Sequence, residues 1–406
     1  MNVLIGFLAV IIVLPQPVLF KYRFFIWAVL GIGFICSYIT KRHLKIAYFL
    51  NSPQDIYFLL YVFTLSLSCI FAINKNIALP AYINFLIPFV LLYYIFKNKP
   101  GDFNQDFFAY IFVFLSCAVS ILAISEIILH KNIIYEHFVD NYFYRRYIGG
   151  RAMSTFMAPA VLGTYLLGCA PFSFYLIYST KKRNVKIFAV IAFILSFTAM
   201  FLTFSRGAFI GFTVMACFYF YNKYKNKLVF FVPVILLVFI VIFGSLPPVR
   251  HINSRLSWKG ISAEYIYTYK ASRAITTFRM LKDHSLTGVG FDNYRYVFDR
   301  YHFIKDTPYE WKIPDNMFMM ILGETGIVGF AGFIIFLGVL FIRGFKYFIA
   351  PPKEIEKDFL LSVMAAFLGI VFNMLTYDLL YWHTPFYLFW IFSGLMVSYH
   401  YKEEFS

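Results

Sequence analysis

Long apolar segments joined by short polar loops constrain this chain more than any other feature of its sequence. A helix that crosses a bilayer needs about 20 mostly apolar residues, and about twelve segments have that character. They run over residues 3–20, 24–40, 56–73, 79–96, 107–129, 155–179, 187–204, 207–222, 228–246, 317–342, 358–377 and 380–400. The sequence therefore predicts an all-α polytopic membrane protein with about twelve transmembrane helices, forming a single integral membrane domain over 1–406.

The composition agrees with the membrane class and argues against a nucleic-acid partner. Only 14% of the residues are charged and 61% are hydrophobic, whereas soluble domains carry about 25% charged residues. The formal net charge of +16 would suggest nucleic-acid binding in a soluble protein, but no motif of that kind accompanies it. We therefore expect the lipid bilayer as a partner and no nucleic acid.

The distribution of basic residues between the loops predicts the orientation of the chain. The loops after the even-numbered predicted spans hold most of them, namely Lys41, Arg42, Lys45, Lys97, Lys99, Lys181, Lys182, Arg183, Lys186, Lys223, Lys225, Lys227, Arg343, Lys346, Lys353 and Lys357. The short loops after the odd-numbered spans hold only Lys21, Arg23, Lys75 and Arg206. Because cytoplasmic loops collect lysine and arginine, both termini are predicted to be cytoplasmic.

The same rule places the junction at Arg206 and one long loop, 247–314, on the outer side of the membrane. That loop connects the ninth and tenth predicted spans. A connection of such length without secondary structure is uncommon, so we expect it to form short helices over the outer face.

The tripeptide Ser205-Arg206-Gly207 interrupts two apolar segments with almost no loop between them. Ser205 is a suitable cap for the following helix, and Gly207 permits a ligand to approach the backbone closely. The start of a helix favours an anion, and the planar fork of Arg206 matches phosphate oxygens. The alternative is an arginine that extends toward the lipid headgroups at a helix end.

Other charged residues of the predicted outer face support an anionic ligand there. Arg151, Arg273 and Arg279 lie in outer loops, where each taken singly also fits a solvated loop charge. Glu324 lies about 12 Å below the start of the tenth span, and an acid at that depth indicates a functional site, with an outer arginine as its partner. A structural ion pair is the alternative for Glu324. Asp315, which lies just before the start of the tenth predicted span, fits either a catalytic base or a helix cap.

The sequence predicts neither a metal site nor a cofactor. The five cysteines lie singly in apolar segments and form no C-x-x-C pair, so they are expected to be small core residues. His284 and His302 have no partner at the spacing of metal ligands.

Four motifs in order resemble the O-antigen ligase/polymerase superfamily of bacterial membrane glycosyltransferases. They are GGRAMSTFMAPAVLGTYL from residue 149, the SRG tripeptide between two spans, an arginine followed by DHSLTGVGF-x-NY from residue 283, and PDNMFMMILGETGIVGF from residue 314. The resemblance covers approximately residues 149–340, and the layout of about twelve spans extends it over the chain.

The resemblance implies a donor glycan on undecaprenyl pyrophosphate and an acceptor that is another glycan or the lipid A core. It implies a metal-independent, inverting transfer to a sugar hydroxyl at the periplasmic face of the bacterial inner membrane. The fixed cations would stabilise the departing pyrophosphate, and the acceptor hydroxyl requires positioning and a base. The implied catalytic residues are Asp315, Arg206, Arg279 and Glu324. The implied pyrophosphate-binding residues are Arg206, Arg279, Arg151, Arg273, Ser205 and Gly207.

Departures from the family pattern bear on the choice between polymerase and ligase. Family ligases that act on the lipid A core carry His-Asn where this chain has Asp315-Asn316. Ala274 lies near the position of a common tryptophan, and Ser285 replaces a proline. A carboxylate is a competent base, so a polymerase is favoured over a ligase.

Two other classes remain as alternatives. A transporter of lipid-linked glycans requires polar residues along a path through the membrane, whereas this chain concentrates them on one predicted face. A structural protein of an envelope complex would tolerate the loss of the Arg206 side chain.

Overall fold

The computed structural model describes most of the chain as helices. It describes residues 2–15, 18, 21–40, 49–50, 52–98, 103–132, 134–135, 150–225, 271–302, 312–349 and 354–398. The predicted span at 228–246 lies outside the described residues, as do 247–270 and 303–311 of the predicted outer loop. The basic residues Lys41, Arg42, Lys45, Lys99, Lys227 and Lys353 also lie outside them.

Within the described ranges the structure contains helices and no strand. The α-helices are α1 (Asn2–Val13), α2 (Arg23–Thr40), α3 (Pro53–Ile70), α4 (Lys75–Lys97), α5 (Gln105–Leu129), α6 (Pro159–Ser179), α7 (Arg183–Leu202), α8 (Arg206–Tyr224), α9 (Ser272–Asp283), α10 (Tyr294–Tyr301), α11 (Met317–Ile349), α12 (Glu354–Asn373) and α13 (His383–Ser398). A short 3₁₀ helix, Leu379–Tyr381, precedes α13.

These helices agree with the predicted all-α membrane fold. A helix overlaps every predicted span within the described residues, and the short helices α9 and α10 lie in the predicted outer loop. In the described part of the chain, 6 helices are long and apolar enough to cross a membrane: α3, α4, α5, α6, α7 and the segment Met317–Lys346 of α11. The total of about twelve spans stays a prediction.

The bundle is built around α6 and α13. The apolar part of α6 is 89% buried, whereas that of its neighbour α7 is 33% buried, so α6 is central and α7 is peripheral. The α8 helix packs on α12, α4 packs on α13, and α3 packs on α11. Aromatic rings fill the centre, where Trp390 lies 4.2 Å from Phe89 and 5.8 Å from Phe336 between ring centroids. Such ring pairs stabilise beyond the area that they bury.

The two ends of the bundle differ in their charged groups. We call the end that holds the α7–α8 junction the outer end and the opposite end the inner end. At the inner end, Lys97 Nζ lies 2.5 Å from Asp55 Oδ2, and both side chains are fully buried. Lys223 pairs with Asp358 at 2.6 Å. Lys97, predicted as a loop charge, therefore lies in the core, because Asp55 at the start of α3 supplies its counter-charge.

The α11 helix is interrupted close to its outer end. Gly326 has φ 66° and ψ −168°, which are not helical values. A residue with a Cβ atom is strained at this positive φ, and a Cβ here would also contact the carbonyl oxygen of Leu286. An interruption within an apolar bundle must find new partners for the freed main-chain groups.

The turn 284–290 supplies those partners by packing into the interruption of α11. Main-chain hydrogen bonds run from Val289 N to Gly323 O (3.0 Å), Gly290 N to Glu324 O (2.9 Å), Ile327 N to Ser285 O (2.9 Å) and Val328 N to Leu286 O (3.2 Å). Ser68 Oγ of α3 also donates to Glu324 O at 2.7 Å. Gly288, with φ 69°, approaches the Glu324 carbonyl group so closely that a Cβ would collide with it. The connection α9–α10 is thereby fixed to α11 and α3.

Replacing Gly326 by alanine should destabilise the protein by about 1–3 kcal/mol, because the residue must keep a strained backbone conformation. The Gly338→Ala variant of the same helix is the matched control, since nothing lies within 4 Å of its Cβ position and alanine favours a helix over glycine. Thermal unfolding of both variants in detergent micelles measures the difference. Equal midpoints would contradict the role of Gly326.

Candidate functional site

The outer end brings several helix termini together. Met317 N at the start of α11 donates to Met374 O, just after α12, at 2.8 Å. Thr384 Oγ1 at the start of α13 donates to Ile12 O of α1 at 2.8 Å. The predicted site residues are distributed over several elements of this end: Asp315 and Glu324 lie before and within α11, Arg273 and Arg279 lie on α9, which packs on α11, and Ser205, Arg206 and Gly207 lie at the start of α8, which packs on α12. Arg151 lies in the segment before α6.

The Ser205-Arg206-Gly207 tripeptide forms the start of α8. Ser205 is the N-cap, and its side chain accepts a hydrogen bond from Ala208 N at 3.5 Å, which confirms the predicted cap. The expected ligand approach to Gly207 is not met. A Cβ there would collide with Thr376 and Asn373, so the glycine allows α8 to pack against the segment after α12.

Arg206 presents an exposed cation at this helix start. Its side chain is exposed, and it forms no hydrogen bond or ion pair with the residues that the structure describes. Its charge adds to the partial positive charge of the α8 N-terminus. The outer end therefore carries an arginine that is available to an anion.

Arg273 and Asp315 form an ion pair at the outer end, just before the start of α11. Arg273 Nη1 lies 2.5 Å from Asp315 Oδ2, and the arginine side chain is 2% exposed against 24% for the aspartate. Asp315 does not cap α11. Asn316 does so, because its Oδ1 accepts from Phe318 N at 3.0 Å and from Met319 N at 3.1 Å.

Charged side chains from four segments of the chain lie near Tyr377. Burial raises the pKa of its hydroxyl well above the ordinary value. The negative charges of Asp378 and Asp315 raise that pKa further, and the positive charges of Arg151 and Arg295 lower it. We call Arg151, Arg273, Arg295, Asp315, Tyr377 and Asp378 the outer charged cluster.

Asp378 is the most deeply buried acid of the outer charged cluster. It is 1% exposed, and its Oδ1 atom has no hydrogen-bond partner among the described residues. Burial first, and then the negative charge of Asp315, raise the pKa of Asp378 to about 6, with a small opposing effect of Arg295. A carboxyl group with this pKa changes its charge near neutral pH.

Arg151 and Arg279 each bind a main-chain carbonyl group. Arg151 Nε donates to Thr203 O at 2.6 Å, which fixes the segment before α6 to the end of α7. Arg279 Nη1 donates to Tyr301 O at 3.1 Å and so connects α9 to α10. Arg151 therefore belongs to the outer charged cluster, whereas the side chain of Arg279 lies between α9 and α10.

Glu324 lies in the last turn before the interruption of α11 and is 2% exposed. Its carboxylate accepts from the Tyr381 hydroxyl and from Tyr294 N at 3.3 Å. Among the described residues these partners are a tyrosine hydroxyl and a main-chain amide, not the arginine that was expected. Asp292 approaches the same carboxylate, and burial raises the pKa of Asp292 to about 6 with a smaller opposing effect of Arg295.

Sequence reasoning did not identify Asp292, Arg295, Tyr377, Asp378 or Tyr381 as site residues. The available signals were an aspartate inside an apolar segment at 378 and an aspartate between Phe291 and Asn293 of the third motif. In the described ranges, no group of three or more His, Cys, Asp or Glu side chains is arranged to hold a metal ion.

The fold and this site define a multi-pass membrane protein with a cluster of fixed charges at one end of its helical bundle. Residues 191–334 match the family model described as O-antigen ligase, which confirms the resemblance to the O-antigen ligase/polymerase superfamily. The match covers about a third of the chain and includes Ser205, Arg206, Gly207, Arg273, Arg279, Asp315 and Glu324. It supports a membrane glycosyltransferase of the ligase or polymerase type. A search of curated proteins gives no match.

Asp378 should make stability depend on pH. Because its pKa of about 6 lies above the ordinary value of 3.8, the folded state binds the proton more tightly, and stability falls as pH rises from about 4 to 6. Asp378→Asn should remove the contribution of Asp378 to this slope and stabilise the protein by roughly 3 kcal/mol at pH 7. Thermal unfolding across this pH range tests it, with the exposed Asp283→Asn as control. An unchanged slope in Asp378→Asn would contradict the assignment.

Removal of the buried arginine should destabilise the protein, whereas removal of the exposed arginine should leave its stability almost unchanged. Arg273→Met leaves Asp315 without its counter-charge and should cost roughly 3 kcal/mol, the low end for a buried pair, because Asp315 keeps some contact with solvent. Arg206→Met should change stability by less than about 0.5 kcal/mol. The measurement is the unfolding midpoint in detergent. A large loss in Arg206→Met would show that this side chain has a structural role.

Proposed function

We propose that this protein transfers a glycan from undecaprenyl pyrophosphate to an acceptor sugar hydroxyl at the periplasmic face of the bacterial inner membrane. In this proposal both termini are cytoplasmic, and the outer end of the bundle faces the periplasm. The observation that carries the proposal is the exposed Arg206 at the start of α8, inside the segment that matches the O-antigen ligase family.

The reaction separates a pyrophosphate from the first sugar of the donor. The acceptor oxygen attacks the anomeric carbon from the opposite side, the bond from that carbon to the phosphate oxygen breaks, and the electron pair leaves with the pyrophosphate. Positive groups that are already oriented stabilise this developing charge. Arg206 and the N-terminus of α8 supply such charge, with Arg151, Arg273 and Arg279 assisting. Ser205 and Gly207 serve by fixing the start of α8.

The acceptor hydroxyl must lose its proton as it attacks, and we assign that proton to the Asp315 carboxylate. The pair with Arg273 at 2.5 Å fixes the orientation of this carboxylate, and its partial exposure leaves it accessible. Glu324, which we predicted as catalytic, is assigned a positioning role. Its two oxygens hold Tyr381 and the main chain of Tyr294.

A polymerase that joins lipid-linked repeat units is favoured over a ligase. The supporting observation is Asp315 in place of the histidine of family ligases. The ligase, which would attach the glycan to the lipid A core, is the second candidate. A transporter of lipid-linked glycans is a more distant candidate, since the outer charged cluster lies at one end of the bundle.

Cells that lack this protein should lose long surface glycans, and the lipid A core should carry single repeat units if the protein is a polymerase. Long chains that remain on undecaprenyl pyrophosphate but are absent from the lipid A core would indicate a ligase instead. An unchanged glycan profile in the deletion strain would contradict both assignments.

Complementation with Arg206→Ala should restore transfer at least about 100-fold more weakly than the native protein, the usual effect of removing one group that stabilises the transition state. Asp315→Ala should fail in the same assay. Arg183→Ala is a matched control, because Arg183 is also an exposed arginine that begins a helix, at the inner end of the adjacent α7. Full rescue by Arg206→Ala, at equal protein level, would contradict the pyrophosphate role.

A further inference from the structure

A cavity of about 390 Å³ lies at the outer end beside the outer charged cluster. Its walls come from α2, α4, residues 291–292 and residues 380–387. The volume is within the range of small-ligand sites, about 300–1,000 Å³. Nothing in the proposed pyrophosphate chemistry uses this space.

The cavity walls are mainly aromatic. Trp27, Phe85, Phe291 and Trp382 line it, and the Phe85 and Phe291 rings lie 5.1 Å apart in an edge-to-face arrangement. Rings of this kind offer flat apolar faces. The C–H face of a sugar ring is a suitable partner for them.

Hydrogen-bond acceptors also border the cavity. Asp292 and Asn84 line it together with Pro88. Pro88 lies inside α4 and has no N–H, so the main-chain carbonyl of Asn84, four residues earlier, lacks its helical donor. The polar groups of the wall therefore include the Asp292 carboxylate and the Asn84 side-chain amide, together with the guanidinium of Arg23.

These acceptors favour a hydroxylated ligand over a hydrocarbon chain. An apolar occupant would cover each of these groups without offering it a hydrogen-bond donor, at a cost of about 1–3 kcal/mol for each group that becomes buried. Hydroxyl groups donate and accept hydrogen bonds, so a sugar ring satisfies the acceptors while it covers the aromatic faces.

The cavity and the outer charged cluster share an aromatic boundary. Trp382 lines the cavity, and its ring lies 5.8 Å from the ring of Tyr377 in a stacked arrangement. Tyr381, which precedes Trp382 and also lines the cavity, donates a hydrogen bond from its hydroxyl to the Glu324 carboxylate. The donor sugar is bonded directly to the pyrophosphate and belongs on the cluster side of this boundary, so the cavity suits the second substrate.

We propose that this cavity binds one sugar ring of the acceptor glycan, with Asp292 and Asn84 accepting hydrogen bonds from its hydroxyls and Trp382 packing on its face. This inference rests on the proposed function. It adds a site for the acceptor to the site proposed for the donor pyrophosphate.

A binding experiment tests the cavity separately from turnover. The probe is the repeat-unit oligosaccharide released by mild acid from the cells' own lipid-linked glycan, titrated onto the purified protein while tryptophan fluorescence is recorded. Asp292→Asn and Ala81→Trp, which fills the cavity from α4, should each weaken binding at least about 10-fold. Ala81→Ser and Arg183→Ala should bind as the native protein does.

A native protein that does not bind the oligosaccharide would overturn the inference, as would unchanged binding in both cavity variants. Competition by undecaprenyl phosphate that the Ala81→Trp variant abolishes would identify a lipid site instead and would also overturn it. Thermal unfolding midpoints show whether each variant is folded, and the two variants act by different means, so one misfolded variant leaves the other informative.

Steady-state kinetics identify which of the two substrates binds in the cavity. With donor and acceptor varied separately, Asp292→Asn should raise the KM for the acceptor about 10-fold or more and leave the KM for the donor unchanged. A rise confined to the donor KM would overturn the acceptor assignment. Sugar binding without any transferase activity would contradict the proposed function but not the sugar site.

Discussion

The insertion of the turn 284–290 into the interruption of α11 is the interaction on which the outer end depends. An apolar bundle leaves no water to satisfy a broken helix turn, and here main-chain groups of the turn supply the partners directly. The same turn connects α9 to α10, which carry Arg273, Arg279 and Arg295. The positions of these arginines therefore follow from the interruption at Gly326, together with the position of Glu324 immediately before it.

The charged groups assigned to the proposed reaction comprise several that are already paired and Arg206, which is exposed. Arg273 orients Asp315, Arg151 holds the end of α7, and Glu324 holds Tyr381 and Tyr294. Arg206 stands apart as an exposed cation at a helix start. This arrangement suits a reaction in which charge develops on a leaving group, since fixed groups need no reorganisation when the charge appears.

The helices and the cap of α8 could be predicted from the sequence because both depend on local chemistry. Apolar length determines where a membrane helix lies, and a serine before a helix start acts within its own turn. The side-chain partners could not be predicted in the same way. Arg273 and Asp315 are separated by 42 positions in the chain, and only the folded loop brings them together.

Two expectations failed for related physical reasons. The sequence predicts an arginine partner for Glu324. In the structure its carboxylate instead accepts hydrogen bonds from the hydroxyl of Tyr381, 57 positions away, and from the main-chain amide of Tyr294. The sequence predicts Lys97 as a loop charge, but its side chain is buried in an ion pair with Asp55. In both cases hydropathy and charge patterns located the residue along the chain without revealing what packs against it.

The turn 284–290 is anchored to α11 almost entirely by main-chain groups, and this has a consequence for divergence. Such an anchor constrains the glycines at 288, 290 and 326, which have positive φ, and it leaves the exposed side chains of the turn with few structural contacts. Leu286, for example, is 64% exposed. The exposed side chains of the turn can therefore be replaced without rebuilding the main-chain frame that holds the arginines of α9 and α10.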